Sequence, residues 1–370
     1  MTEKAVDINS LDRFMAPLEG GTTMLRWHRP AMPPFRLSGF AWFDRDRVYR
    51  RLPVAPRLPI PGPVDALADC TAGGQIAFQT DSGQVAVRVE LAGSANMNHM
   101  PATGQCGFDL YVGAPGAQRF HSVSKYNHSQ PRYEALLFEH PESVMRHFTL
   151  NFPLYMGVRS VHVGLSPGAD IAAPVPWASA GRGIVYGTSI TQGGCASRPG
   201  MAYTNLLSRA LNMEFVNLGF SGNGRGEPEL IELMADIPNP RLLILDYHAN
   251  AAGKLAQTLP VAVRILRTRH PSVPILVVSR IAYAKDATHL DFRATREADR
   301  DLHAQVVAAR RRQGDTAIHF VDGTDLLGPD YDECTVDGIH PTDLGFLRMA
   351  GALAPEIRRI LEANSQATDN

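Results

Sequence analysis

Between residues 183 and 361, five short, mostly apolar runs alternate with stretches of helical period, and few folds accept that rhythm. Strands are predicted at Ile184–Tyr186, Phe215–Leu218, Leu242–Leu245, Ile275–Ser279 and Ile318–Val321. Helices are predicted at Ala202–Leu211, Pro228–Met234, Gln257–Thr268, Arg293–Arg312 and Leu344–Leu361. Strands that are apolar on both faces, each followed by a helix, call for a parallel sheet covered on both sides. Ligands of such open sheets sit beyond the carboxyl ends of the strands. The loops that follow those ends are therefore where chemistry is expected.

The first half has a different rhythm. Short strands are predicted at Gln75–Thr80, Val85–Leu91, Phe108–Val112, Tyr133–Phe138, Arg146–Asn151 and Ser160–Gly164, broken by Gly, Pro, Asn and Ser. Period-two alternation over such short runs predicts antiparallel structure, and a β-sandwich is the natural way to bury it. A Pro- and Ala-rich segment, Ala172 to Gly181, separates the halves as a linker or docking strap. The expected division is an N-terminal extension over 1–35, a sandwich over 36–172, a linker over 173–182 and an α/β domain over 183–370. A length of 370 residues is consistent with two domains.

Composition excludes some classes. A formal net charge of −1 gives no electrostatic reason to expect a nucleic-acid or anionic-membrane partner. No window approaches the roughly 18 uncharged apolar residues of a membrane span. The first ten residues lack a basic region and an apolar core, so a cytoplasmic location is expected. Cys70, Cys106, Cys195 and Cys334 form no Cys-x-x-Cys motif, and His99, His121 and His289 have no partners at ligand spacing, so no metal site is expected. Each thiol reads as buried and inert; Cys195 and Cys334 lie near the chemistry-bearing loops, which raises the question of whether they pair. The Arg310–Arg312 run reads as a solvated helix end.

The strand-end loops carry Gly187-Thr-Ser189-Ile-Thr-Gln-Gly193, Asn217-Leu-Gly-Phe-Ser-Gly222-Asn-Gly224, Asp246-Tyr-His248-Ala-Asn250 and Val336-Asp337-Gly-Ile-His340-Pro-Thr-Asp343. A serine is a weak nucleophile until a base takes its proton. His340 is a candidate base, and Asp337 a candidate to hold its imidazole in the right tautomer. A glycine between them leaves the backbone free to aim both at one point. Three donors are available for the oxyanion of a tetrahedral intermediate: the Ser189 N–H, the Gly222 N–H and the Asn250 side-chain amide.

These four blocks, in this order, resemble the SGNH (GDSL) hydrolase superfamily, whose Ser, Gly, Asn and His fall on Ser189, Gly222, Asn250 and His340, with Asp337 completing an Asp-x-x-His block. Gly107-Phe-Asp109-Leu-Tyr111 resembles the Gly-x-Asp-Leu-Tyr signature of a sandwich domain that precedes one branch of these enzymes, and Gly194 to Tyr203 also fits that branch. Two departures stand out: Thr188 replaces the usual Asp of block one, and Tyr247-His248-Ala249-Asn250 replaces Gly-x-Asn-Asp, leaving His248 as a competing occupant of that corner. The resemblance implies a flavodoxin-like three-layer α/β/α domain with a parallel sheet, preceded by a jelly-roll-like antiparallel sandwich. It implies a serine esterase that removes a small O-acyl group, acetyl among the candidates, through an acyl-enzyme and without a cofactor. Its partners would be a small acyl ester or an acylated sugar, with neither nucleic acid nor membrane.

Two other readings remain open from sequence. An acyltransferase would use the same residues to pass an acyl group from a thioester donor to an alcohol. A carbohydrate-binding protein with a decayed hydrolase domain would use none of them. A strand-end Ser is commonly a mere turn residue, and Asn250 alone also reads as a helix cap. Arg198 is expected either to contact substrate or to pair with a structural carboxylate, His248 is a second candidate substrate contact, and Asp109 and Tyr111 are expected to stabilise the sandwich or the domain interface.

Overall fold

The structure, a computed structural model, describes residues 11–12, 24–251 and 253–368. Its N-terminal half is antiparallel. Strands β1 (Arg26–His28), β2 (Arg36–Ser38), β3 (Gln75–Thr80), β4 (Gln84–Leu91), β5 (Asp109–Val112), β6 (Arg119–Val123), β7 (Arg132–Glu139), β8 (Arg146–Asn151), β9 (Val158–Leu165) and β10 (Ile171–Ala172) form two sheets. One runs β1-β9-β4-β7 and the other β10-β3-β8-β5-β6, with β2 also on β3. Alternating residues such as Val85, Val87 and Val89 turn inward with Phe78, Phe108, Phe148 and Leu150 to fill the core between them. Removing side chains of this size from water stabilises by about 1.5–3 kcal/mol each.

The C-terminal half is a five-stranded parallel sheet in the order β12-β11-β13-β14-β15. Its strands are β11 (Arg182–Gly187), β12 (Glu214–Gly219), β13 (Pro240–Asp246), β14 (Ile275–Val278) and β15 (Ile318–Val321). Val185, Ile244 and Leu276 face one side, against helices Tyr203–Leu211 and Asp343–Thr368. Ile184, Leu243 and Ile275 face the other, against helices Pro228–Ala235, Leu255–Arg269 and Leu290–Arg312. Continuous apolar strands follow directly from this double coverage. The first strand lies inside the sheet with the second and third on either side, which places the topological switch point at β11.

The expected boundaries need two corrections. The described part of the 1–35 segment is no separate extension, since Arg26, Trp27 and His28 pair antiparallel with Leu165, Gly164 and Val163. A three-residue strand is too short to show alternation. Nor does all of 36–172 belong to the sandwich: Leu52, Val64 and Ala68 lie in the hydrophobic layer beneath the parallel sheet. Fully buried Arg51 donates to the carbonyls of Leu67, Cys70, Asn217 and Gly219, tying this crossing segment to the end of β12. The strap over 173–182 docks too, with the Arg36 guanidinium 4.8 Å from the Trp177 ring centre and the Ala178 N–H donating to Asn212.

Candidate active site

Register brings the chemistry together. Gly187 of β11 pairs with Gly219 of β12 and with Asp246 of β13, so three strands end at one level. Ser189, Gly222 and Asn250 follow those ends by two, three and four residues. Ser189 opens a single helical turn, Ser189–Gln192, and is largely buried. Among the described residues, the Gly222 N–H meets no acceptor within the protein. Gly222 has φ +66°, and a Cβ there would meet open space, so this turn leaves room beside it. The Asn250 amide donates to the Asn223 carbonyl at 2.6 Å, which joins the loops after β12 and β13 and leaves its second N–H for another acceptor.

His340 arrives from beyond β15. Thr335 and Pro341 form an antiparallel bridge, and the Val336 N–H donates to the His340 carbonyl, so residues 336–340 fold into a tight reversal. Gly338, at φ +83°, supplies the left-handed residue this turn requires. One Asp337 carboxylate oxygen accepts the backbone N–H groups of Ile339 and His340 at 3.0 and 2.8 Å. The other lies 2.7 Å from His340 Nδ1, and His340 Nε2 lies 2.8 Å from Ser189 Oγ. Partial burial works to raise the Asp337 carboxyl, but the His340 backbone and ring hydrogen bonds outweigh it and hold it below the usual range. A carboxylate that stays ionised keeps Nδ1 protonated and Nε2 free to take the serine proton.

Several side chains that the sequence did not single out hold this arrangement. The Gln192 side chain donates to the Leu154 carbonyl and accepts the Ser221 N–H, locking the nucleophile turn to the Gly222 loop. Asp246, half-buried at the end of β13, accepts from the hydroxyls of Tyr203 (2.6 Å) and Thr191 (2.9 Å), and desolvation pushes its carboxyl up to about 6. The sandwich also reaches in. The Tyr155 hydroxyl donates to the Ser189 carbonyl at 3.1 Å, and the His99 ring sits edge-on to that of His340 with 5.9 Å between centres. Tyr155 and His99 fall in irregular loops with no pattern around them. Gln192 and Asp246 stand inside recognisable blocks, where adjacency to the strand ends was the available signal.

Two proposed substrate contacts are corrected. Arg198 is engaged by the domain interface: its guanidinium donates to Asp109 at 3.2 Å and to the Tyr111 hydroxyl, and lies 3.7 Å from the Phe120 ring centre. Asp109, fully buried, also accepts the Gly200 N–H and the Asn151 amide. The Gly-x-Asp-Leu-Tyr strand thus clamps the loop that follows the nucleophile, which is the interface role expected of Asp109 and Tyr111. His248 is buried away from the cleft, with Nδ1 accepting the Arg280 N–H at 2.8 Å and Nε2 3.3 Å from an Asp299 oxygen. Both His248 ring nitrogens face these partners, while Asn250 bonds the Asn223 carbonyl beside the Gly222 turn. Cys195 and Cys334 are both free thiols, and the Cys334 sulfur lies beside the Leu327 and Asp330 carbonyls and Arg348.

Ser189, His340 and Asp337 thus stand in line at the switch point of a doubly wound sheet, and the comparisons place the chain among the hydrolases. Residues 182–358 match the GDSL-like Lipase/Acylhydrolase family. Residues 25–171 match the GxDLY domain, the N-terminus of SGNH-hydrolase-type esterases. A candidate GDSL-like lipase from Bacteroides ovatus is 30% identical, with a TM-score of 0.83, covering 91% of this chain and 98% of that one. The chain belongs to the GDSL (SGNH) hydrolase family. Its fold is also that of a salicylyl-acyltransferase from a tetracycline biosynthetic pathway (23% identity, TM-score 0.75, 91% and 98% covered). A family two carbohydrate esterase from Cellvibrio japonicus shares it at 15% identity and TM-score 0.58, over 91% and 98%. No curated protein sequence matches the chain.

Proposed function

We propose that this chain is a serine esterase that removes a small O-acyl group, acetyl first among the candidates, from a sugar or similar small alcohol. The observation that carries the reading is the pair of hydrogen bonds, 2.8 and 2.7 Å, that links Ser189 through His340 to Asp337. Ser189 Oγ attacks the ester carbonyl while His340 Nε2 takes its proton. The carbonyl oxygen gains negative charge and is met by the Ser189 and Gly222 N–H groups and the spare Asn250 N–H. His340 returns the proton to the leaving alcohol, and Ser189 keeps the acyl group. A water then gives its proton to His340 and attacks the acyl-enzyme, and His340 passes that proton to Ser189 Oγ as the acid leaves.

The His340 and Asp337 side chains retain 22% and 33% of their exposure, so water reaches the relay, which favours hydrolysis over transfer. The two-domain likeness to a carbohydrate esterase supports an acylated sugar as substrate. A second reading, transfer of the acyl group from a thioester to an alcohol, draws support from the likeness to the salicylyl-acyltransferase. A non-catalytic binding role leaves the assembled relay without a purpose.

Two measurements test the proposal. A fluorophosphonate probe is expected to label Ser189, and absence of label overturns the catalytic reading. Nitrophenyl esters of rising chain length are expected to turn over fastest when short and without any added alcohol. A rate that depended on added alcohol would replace esterase with transferase.

A further inference from the structure

Beside the relay stands a second constellation that shares only His340 with it. The ligand atoms of His99, Cys195 and His340 all lie within 4.8 Å of one another. They come from three distant segments: His99 from the sandwich loop after β4, Cys195 from the loop after the nucleophile turn, and His340 from the loop after β15. Two imidazoles and a thiol are the donors that Zn2+ takes in preference to hard cations. Around Zn2+, with bonds of about 2.0–2.1 Å to nitrogen and 2.3 Å to sulfur, tetrahedral ligand atoms stand about 3.3–3.6 Å apart. The cluster must therefore contract by up to about 1.5 Å. His99 has the freedom to do so, because its half-exposed side chain is held by Asn98 and by a 3.9 Å approach to Asp337.

We propose that His99, Cys195 and His340 form a binding site for Zn2+ that spans the two domains. On binding, the Cys195 thiol loses its proton to solvent as the sulfur–zinc bond forms, so one cation enters and one proton leaves. In the resting protein the thiol is neutral, since burial, with the Asp337 charge as a lesser cause, pushes it up to about 12. The metal-free site therefore places no second negative charge beside the relay. Either nitrogen that His340 offers is one the relay needs, Nε2 toward Ser189 or Nδ1 toward Asp337. A bound cation thus removes the base. That consequence, reversible inhibition, rests on the esterase reading above, whereas binding itself does not.

The test is a titration of the full chain carrying Ser189→Ala with Zn2+, followed by competition against a chromophoric chelator. One equivalent is expected to bind, and Mg2+ is not expected to compete. Adding Cys195→Ala or His99→Ala is expected to weaken binding by about tenfold or more. His99→Ala alters a half-exposed loop residue, so it keeps the test informative where the buried cysteine change disturbs folding. Failure to bind one equivalent, or affinity unchanged by both substitutions, overturns the site. Binding is read without turnover, so a chain found to lack esterase activity would leave this result standing. With activity present, Zn2+ is expected to inhibit ester hydrolysis and a chelator to restore it.

Discussion

Replacing Asp109 with Asn removes a carboxylate that Arg198, Gly200 and Asn151 share. Asp109 is fully buried and the Arg198 side chain keeps only 17% of its exposure, so solvent replaces the carboxylate only in part. The amide of an Asn can accept at one position only, and it turns an N–H toward donors at the other. Leaving a buried charge without its partner costs about 3–5 kcal/mol. A domain of this kind has about 5–15 kcal/mol of stability in total. Urea unfolding of Asp109→Asn should therefore show a loss of about 3–5 kcal/mol. The loop that Gly200 anchors also carries Ser197, which donates to Asp343 beside the His340 block, so kcat/KM for a short nitrophenyl ester should fall with stability. The Asp109→Asn/Arg198→Met double variant should lose less than the sum of the single losses, by about 0.5–3 kcal/mol. Stability within about 1 kcal/mol of the parent, with additive single effects, would refute the view that this pair clamps the domains.

Other consequences follow from the same geometry. Asn250→Ala should lower kcat by about 10²–10³ with little change in KM if its amide meets the oxyanion, and a pure KM effect would move Asn250 to substrate binding. Asp246 has a folded carboxyl near 6 against an ordinary 3.8, so the folded protein holds that proton more tightly than the unfolded chain does. Its contribution is complete below the unfolded value and is lost as pH rises through the folded one. Relative to Asp246→Asn, the parent should lose about 3 kcal/mol between roughly pH 4 and 6, measured by unfolding at a series of pH values, and parallel profiles would contradict the assignment.

The parallel sheet was legible because its strands are apolar on both faces, a pattern that half-buried strands do not produce. Arg146–Asn151 and Ile318–Val321 fall where alternation and apolar runs placed them. Strand β6, Arg119–Val123, was not legible, because its side chains are exposed or half-buried and carry no inward face to alternate. The crossing segment around Leu52 and Arg51 was hidden for another reason: a guanidinium buried against four carbonyls has no signature in a linear pattern. At the site, the motif blocks brought forward Ser189, Asp337 and His340. His99 and Tyr155 stayed invisible because their relevance lies in how the sandwich docks, which no local spacing encodes.

A covalent acyl group on Ser189 is the species the proposed esterase must form, and it can be caught. Nitrophenyl acetate should be mixed with the full chain, quenched with acid within the first turnover and digested for mass spectrometry. The predicted result is a single acetyl group on the peptide containing Ser189, formed with a burst of nitrophenol and absent from Ser189→Ala. Undiminished turnover by Ser189→Ala, or acetyl on another residue that keeps pace with turnover, would contradict it.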